Sequence, residues 1–328
     1  MSITINAYEL ENIETLPRDF LKPKKKASSM GYTSQKLGVF SRLNEFSALL
    51  TRYNGAAKSR VSRAIGGVCA AMNEIRVIMG KPVENLDILE IGSGQMSFQL
   101  ALLSKQNRVT GIDREYNGNE TSLKNILNTI RKDGIVRAVK TVARRGLGFD
   151  RQARDEYLKQ TDSPKWPHLN ILKMDAEQMS LPNDSFDVIF SHSVFEHIAN
   201  PIDVLREAKR VLRVGGVFYC ELHLYSSDSG CHDIRIFADR RESLPLWSHL
   251  RDDHKRKVIQ NTYLNKISLQ QWRTDCESIM PGCRVEATRC DETPELVAKL
   301  AEIRENGELL DHSDEELFSS LVKVVWTK

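Results

Sequence analysis

The sequence predicts a doubly wound α/β domain built on a seven-stranded, mostly parallel sheet, preceded by a helical N-terminal region. Three observations carry this. From residue 86 onward, short runs rich in Ile, Val, Leu and Phe alternate with segments of helical apolar spacing. The first run, 86–91, breaks directly into Gly92-Ser93-Gly94, and the second, 108–112, is closed by an acid, Asp113. Strands separated by helices need crossover connections, which give parallel pairing and a sheet covered on both faces.

In chain order, residues 1–35 are polar and include Lys22-Pro23-Lys24-Lys25-Lys26, which reads as a solvated arm. Apolar residues then recur at helical spacing (Phe46, Leu49, Leu50 and Tyr53, then Val61, Ile65, Val68, Met72, Ile75 and Ile78), so two helices broken near Asn54-Gly55 are expected. Strands follow at 86–91, 108–112, 169–174, 186–190 and 217–224, with helices at 98–103 and 123–131. Asn200-Pro201 opens a helix with Asn as cap and Pro in the first turn, and Gly215-Gly216 is expected to stop it. A helix at 269–280, a strand at 285–289, a helix at 294–304 and a strand at 317–326 complete the pattern. The expected division is an arm and helical cap over 1–80, then one domain over 81–328 with insertions at about 131–168 and 225–265.

Bulk composition excludes several classes. A net charge of +3 over 328 residues gives no global reason for a nucleic-acid partner. No apolar stretch approaches the roughly 20 residues of a membrane helix, and the start lacks a basic region followed by an apolar core, so a cytoplasmic protein is expected. The six cysteines show no CxxC pairing and read as reduced thiols.

The chemistry sits at the expected strand ends. Glycines let a backbone approach a ligand without a Cβ clash, and an acid closing the next strand can accept hydrogen bonds from ribose hydroxyls. Asp175, in Met174-Asp175-Ala176-Glu177, closes the third strand, where it can accept from an exocyclic amine such as that of adenine. The plain alternative is that Asp113 and Asp175 only cap the segments that follow them. Three such features in register describe an adenosine-shaped pocket.

Leu-Glu-Ile-Gly-Ser-Gly (89–94), Gly-Ile-Asp (111–113), Asp-Ala-Glu (175–177), Leu-Pro-x-x-Ser-Phe-Asp (181–187), Phe-Glu-His-Ile (195–198) and Arg-Val-Leu-Arg-Val-Gly-Gly (210–216) form a set. As a set they resemble a class I S-adenosylmethionine-dependent methyltransferase over about 86–224, and the strand–helix–strand tail to 326 resembles that fold's closing antiparallel hairpin. The resemblance implies S-adenosyl-L-methionine as cofactor. It places Glu90, Gly92, Ser93 and Gly94 against the methionine moiety, Asp113 on the ribose, Asp175 with Ala176 around the adenine, and Ser191 on the other side. The family's third glycine falls at Met96.

A methyl donor of this kind leaves the protein to position the nucleophile and, for a hydroxyl, to take its proton. Candidate bases cluster after the fourth and fifth strands: His192, His197, His223, Asp228, His232 and Asp233. His223, His232, His197 and Asp228 are the expected catalytic residues; for His197, packing behind the cofactor is the competing reading. The acids and histidines near 223–249, including His249, fit no defined metal motif, so no metal is assigned.

Two insertions shape the acceptor side. Residues 131–159 carry nine basic against four acidic residues, with an apolar stripe at Val136, Val139 and Val142 beside Arg137, Lys140, Arg144 and Arg145. This reads as an amphipathic helix with a solvated face, or as a basic cover for a phosphorylated substrate or an anionic membrane surface. The segment 230–251, with Trp247 as a sugar-stacking platform or a packing anchor, resembles methyltransferases of bacterial surface-polysaccharide synthesis, as does 137–145. The resemblance implies O-methylation of a sugar-containing or other small acceptor. A non-catalytic cofactor-binding partner subunit and an NAD-dependent oxidoreductase are the alternatives. RNA methylation is weaker, because the fourth strand leads into Ser-His-Ser-Val-Phe rather than a base-presenting Pro-Pro motif.

Overall fold

Asp87–Ile91 (β1) sits at the centre of the sheet because it is apolar on both faces: Ile88 points to one layer of helices, Leu89 and Ile91 to the other. The chain is described by a computed structural model over residues 57–94, 96–116, 148–237, 244–260, 262–288 and 292–328. The lysine run, the helix expected before Asn54, the helix expected at 123–131 and the valine stripe of 136–142 lie outside the described residues.

β1 pairs in parallel with Arg108–Asp113 (β2) and with Phe186–His192 (β4). Asn170–Lys173 (β3) extends the β2 side and Leu212–His223 (β5) the β4 side, also in parallel. Leu321–Thr327 (β7) lies antiparallel between β5 and Arg284–Thr288 (β6). The order is β3-β2-β1-β4-β5-β7-β6, with β7 alone reversed, as the seven-strand expectation with a closing hairpin required.

The two faces are covered by different helices. Ala57–Met79 (α1) places Val68, Ala71 and Ile75 on Ile88, Val188, Phe190, Val217 and Tyr219. Although it precedes the expected domain start at 81, α1 is therefore a covering layer of the sheet itself. Phe98–Leu103 (α2) and Phe149–Gln160 (α3) join α1 through Val61, Phe98, Ala101, Ala153 and Tyr157. In the basic insertion, the described part is thus scaffold on its apolar side. On the opposite face, Pro201–Val211 (α4) brings Val204, Leu205, Ala208 and Val211 onto Leu89, Ile189 and Phe218. Among the described residues, no helix is long and apolar enough to cross a membrane.

Several local expectations are corrected. Helix α4 does not run on to Gly215-Gly216 but stops at Val211, and β5 begins at Leu212. The β4–β5 register shifts between Phe186 and Val188, and a Cβ on Gly216 would meet the carbonyl oxygens of Arg213 and Asp187 within 3 Å, so this glycine serves the irregularity. Asn200 does not cap α4: its side chain donates to Glu177 at 3.1 Å, while Pro201 does occupy the first turn. Ile234–Phe237 (α5) is a single turn, and Leu269–Ile279 (α6) and Pro294–Glu305 (α7) match the expected helices. Leu317 and Phe318 belong to a short helix, Asp314–Phe318 (α8), rather than to the last strand. Trp247 is fully buried, stacked edge-on with Phe318 and donating to the Leu317 carbonyl, so it is a packing anchor with no face left for a sugar.

Candidate active site

The chain leaves β1 outward to β2 and β3, then returns on the other side of β1 to β4 and β5. Strand order reverses at β1/β4, and a crevice opens beyond the carboxyl ends there. Its floor is the glycine turn. Gly92 has φ +79° and Gly94 φ +60°, a region that L side chains rarely adopt. A Cβ on Gly92 would fall 2.2 Å from Val194 Cγ2, so the turn after β1 and the turn after β4 touch at a point where only a hydrogen fits. Met96, at the family's third glycine, has no positive φ; Ser97 carries that conformation at φ +49°, and Met96 packs beside Phe98.

Asp113 holds this turn, and Asp175 lies two residues beyond the end of β3. Asp113 Oδ2 accepts from the Gly94 N–H at 2.9 Å and Oδ1 from the Glu115 N–H at 2.7 Å. Asp175 accepts from the Glu177 N–H at 3.1 Å and lies 3.8 Å from the Arg114 guanidinium. Both carboxylates thus make the backbone contacts that the plain capping alternative expects. Ala176 packs against the core below. Helix α4 clamps the same loop: Arg210 donates to the Met179 and Leu181 carbonyls, and Glu207 accepts from the Met179 N–H. Ser191 departs from expectation. It lies inside β4, fully buried, and its hydroxyl donates to the Ile91 carbonyl at 3.0 Å, bracing the tip of β1 instead of facing a ligand.

Glu90 is the unusual group. It is 3% exposed on the α1 side of β1, and its Oε2 has no hydrogen-bond partner. Burial pushes its pKa up to about 7, with the Ser93 hydroxyl and His192 opposing and Asp113 adding to the rise. A buried acceptor of this kind calls for a specific explanation in the fold or its ligand. Because Asp113 Oδ2 holds the Gly94 N–H of the glycine turn, Asp113→Ala is expected to weaken S-adenosylhomocysteine binding by about 10- to 100-fold in calorimetry, the size of one lost charged hydrogen bond or more.

A histidine cluster gathers at the tips of β4 and β5. His223 Nδ1 lies 2.7 Å from His232 Nε2, and His223 Nε2 lies 3.0 Å from the Ser229 hydroxyl. The His232 ring meets His197 edge-on at 5.1 Å, and His197 Nδ1 is 2.9 Å from the Tyr263 carbonyl. Burial lowers the His223 pKa to about 4, so the ring is neutral at neutral pH and one member of the 2.7 Å pair donates while the other accepts. His192 is drawn into a different contact. Burial lowers its pKa but the Glu221 carboxylate at 3.0 Å outweighs this and raises it.

Three other expected groups are engaged elsewhere. Asp228 is buried and accepts from the Trp247 N–H at 2.7 Å, which makes it a strut for the 244–250 loop. Asp233 pairs with Arg235 at 2.6 Å, and the Ile259 N–H donates to it. His249 is within 2.7 Å of the Tyr225 carbonyl. Among the described residues, no group of three or more His, Cys, Asp or Glu is placed to hold a metal ion. Sequence reasoning missed Val194 as the partner of Gly92, Glu221 as the partner of His192, and the buried Glu196. Val194 directly precedes the quoted 195–198 motif, Glu196 lies within it and Glu221 sits opposite His192, but nothing in their spacing marks these roles.

A family profile described as a methyltransferase domain matches residues 134–220, the span from before α3 to the middle of β5. A Mycolicibacterium smegmatis protein described as a probable S-adenosylmethionine-dependent methyltransferase is 35% identical over 77 residues. Over residues 134–220 this chain is similar to a methyltransferase domain. The match to that relative covers 24% of this chain and 29% of the relative, so well under two thirds of its length is spanned. Among solved structures, Haemonchus contortus phosphoethanolamine N-methyltransferase 2, in complex with S-adenosyl-L-methionine, is similar at TM-score 0.42 and 15% identity. That likeness covers 79% of this chain and 52% of that one. An S-adenosylmethionine-dependent methyltransferase from Mesorhizobium loti is similar at TM-score 0.36 and 14% identity, covering 78% and 96%. Arg213 ties β5 to Asp87 and Asp187 at 2.9 and 2.8 Å. The 181–187 and 210–216 motifs are thus framework, and the motifs at 89–94, 111–113 and 175–177 are the ones that reach the crevice.

Proposed function

We propose that this protein transfers a methyl group from S-adenosylmethionine to a small polar acceptor, at a hydroxyl of a sugar-containing metabolite. The observation that carries it is the convergence on one sheet edge of the glycine turn, the orphaned Glu90 carboxyl and the Asp113 and Asp175 carboxylates, together with the hydrogen-bonded His223–His232 pair at the end of β5. These residues fit the cofactor: a buried carboxyl without a partner suits its cationic end, and two acceptors at strand tips suit ribose and adenine. The bound cofactor supplies an electrophilic methyl carbon on a sulfonium. The chain's own residues do the rest. Gly92–Gly94 let the backbone close on the ligand, Asp113 and Asp175 orient it, and the His232–His223 pair accepts the acceptor's proton.

An oxidoreductase is disfavoured by the antiparallel β7 inserted between β5 and β6, since the dinucleotide-binding order 3-2-1-4-5-6 is parallel throughout. Calorimetry with S-adenosylhomocysteine and with NADH separates the two; tight NADH binding without the former would sink the methyltransferase reading. Incubation with S-adenosylmethionine and a panel of sugar nucleotides, read by mass for a methylated product, tests the acceptor. His223→Ala is expected to leave S-adenosylhomocysteine affinity within about twofold and to slow turnover by about 100-fold, the lower range for loss of an acid–base group. Unchanged turnover would remove His223 from the proton path.

A further inference from the structure

Phe195–His197 is a single 3-10 turn just beyond β4 that presents a glutamate to the interior and a histidine to the crevice. Glu196 is 2% exposed, and its carboxylate has no close side-chain hydrogen-bond partner, only the backbone N–H groups of Glu196 and His223 nearby. A buried carboxyl in that condition costs stability, and packing alone gives no reason for it. The turn is held rigidly: the Glu196 carbonyl accepts from the Asn265 N–H at 2.9 Å, and the Asn265 side chain donates to the Phe195 and Ile198 carbonyls.

The neighbour of the carboxyl is His197, whose Nε2 lies 3.9 Å from Oε1. The Tyr263 carbonyl can only accept, so His197 Nδ1 must carry a proton. Any further proton on the ring goes to Nε2, on the side of Glu196, and makes the ring cationic. His197 in turn touches His232, which is bonded to His223.

We propose that Glu196 is a positioning residue, the buried counter-ion for a positive charge that enters the His197–His232–His223 cluster when the acceptor is deprotonated. Its use in turnover rests on the methyl-transfer reading; its electrostatic role does not. The acceptor's O–H bond breaks and the proton forms an N–H bond on an imidazole. The oxygen's electron pair bonds to the methyl carbon as the carbon–sulfur bond breaks toward sulfur. One positive charge thus moves from sulfonium to imidazolium, within reach of a carboxylate that solvent does not screen.

The other titratable groups facing Glu196 are His192 on β4, itself paired with Glu221, and Cys220 on β5, with the backbone of His223 above. Burial raises the Glu196 pKa, and the charge of His197, the backbone N–H groups of Glu196 and His223 and the charge of His192 act against the rise. Burial also keeps the Cys220 thiol protonated, so it adds no charge. The carboxyl is thus poised to ionise when an imidazolium forms beside it.

The test is Glu196→Gln in the full chain with nitrogen-15-labelled histidine, following ring protonation by NMR. Removing the counter-ion is expected to weaken proton binding by the cluster about tenfold, the low end for an opposite charge at this range. Glu196→Asp is expected to recover most of the effect. Ring titrations within twofold of wild type overturn the proposal. If the glutamine variant does not fold, wild-type protein labelled with carbon-13 at glutamate carboxyls decides it. A carboxyl signal moving through the same pH interval as the His197 ring supports the pairing, and its absence overturns it. S-adenosylhomocysteine calorimetry on the same samples reports the methyltransferase reading separately, because neither NMR outcome requires cofactor binding.

Discussion

Glu90→Gln is expected to make the cofactor-free protein more stable at pH 8 while making it a poorer binder of S-adenosylmethionine. The carboxyl is buried, lacks a partner on Oε2, and has its pKa raised from 4.5 to about 7. A folded-state pKa above the unfolded value means that folding takes up a proton between the two. The associated stability is present below about pH 4.5 and is lost as pH rises through about 7. At pH 8 the buried carboxylate therefore costs the fold about 3 kcal/mol, from roughly 1.4 kcal/mol per pKa unit. Glutamine removes that cost. Urea unfolding of wild type and variant at pH 5 and pH 8 should show a gap that opens only at the higher pH. In the proposed site this carboxylate meets the cofactor's cationic end, so wild-type affinity should rise with pH through about 7 and the variant's should not. A pH-independent wild-type affinity would separate Glu90 from the ligand.

The second large effect is at the turn. Gly92→Ala forces a Cβ into Val194, 2.2 Å from one methyl carbon and 2.6 Å from the other, at a φ of +79°. Both methyls and the Val194 Cβ at 2.9 Å are in the way, so no rotamer change relieves the clash and one of the two turns must move. Overpacking and the left-handed backbone together should cost about 2–4 kcal/mol by chemical unfolding. Because the displaced turn carries the Gly94 N–H bonded to Asp113, cofactor affinity should fall by more than tenfold. Pairing the change with Val194→Ala should return part of the stability, since the two methyl clashes are gone, while the Cβ contact at 2.9 Å and the backbone strain remain. A double variant no better than Gly92→Ala would mean that strain, not contact, sets the role of this glycine.

The motifs differ in how far they could be read from the chain. Helix ends and strand ends were legible where local chemistry decides them, as with Pro201 in the first turn of α4 and Asp113 at the end of β2. Asn200 shows where that reading runs out. It is a good cap by type, yet its amide is taken by Glu177, a residue it meets only because α4 packs beside the loop after β3. The same holds for Trp247, whose ring is claimed by Phe318 and Leu317, and for Ser191, whose hydroxyl is claimed by Ile91.

The sequence by itself determined the alternation of strands and helices, the position of the glycine turn, and the acids that close β2 and β3, because hydrophobic period and turn chemistry act over a few neighbouring residues. Only the tertiary structure decided which of the histidines meet. His197, His223 and His232 come together from the turn after β4, the end of β5 and the loop beyond it, while His192 turns away to Glu221. It also decided that Glu90 Oε2 and the Glu196 carboxylate are buried without a close side-chain hydrogen-bond partner. Burial and pairing depend on contacts between segments far apart in the chain, and those same contacts set the charge state of every group that touches the chemistry.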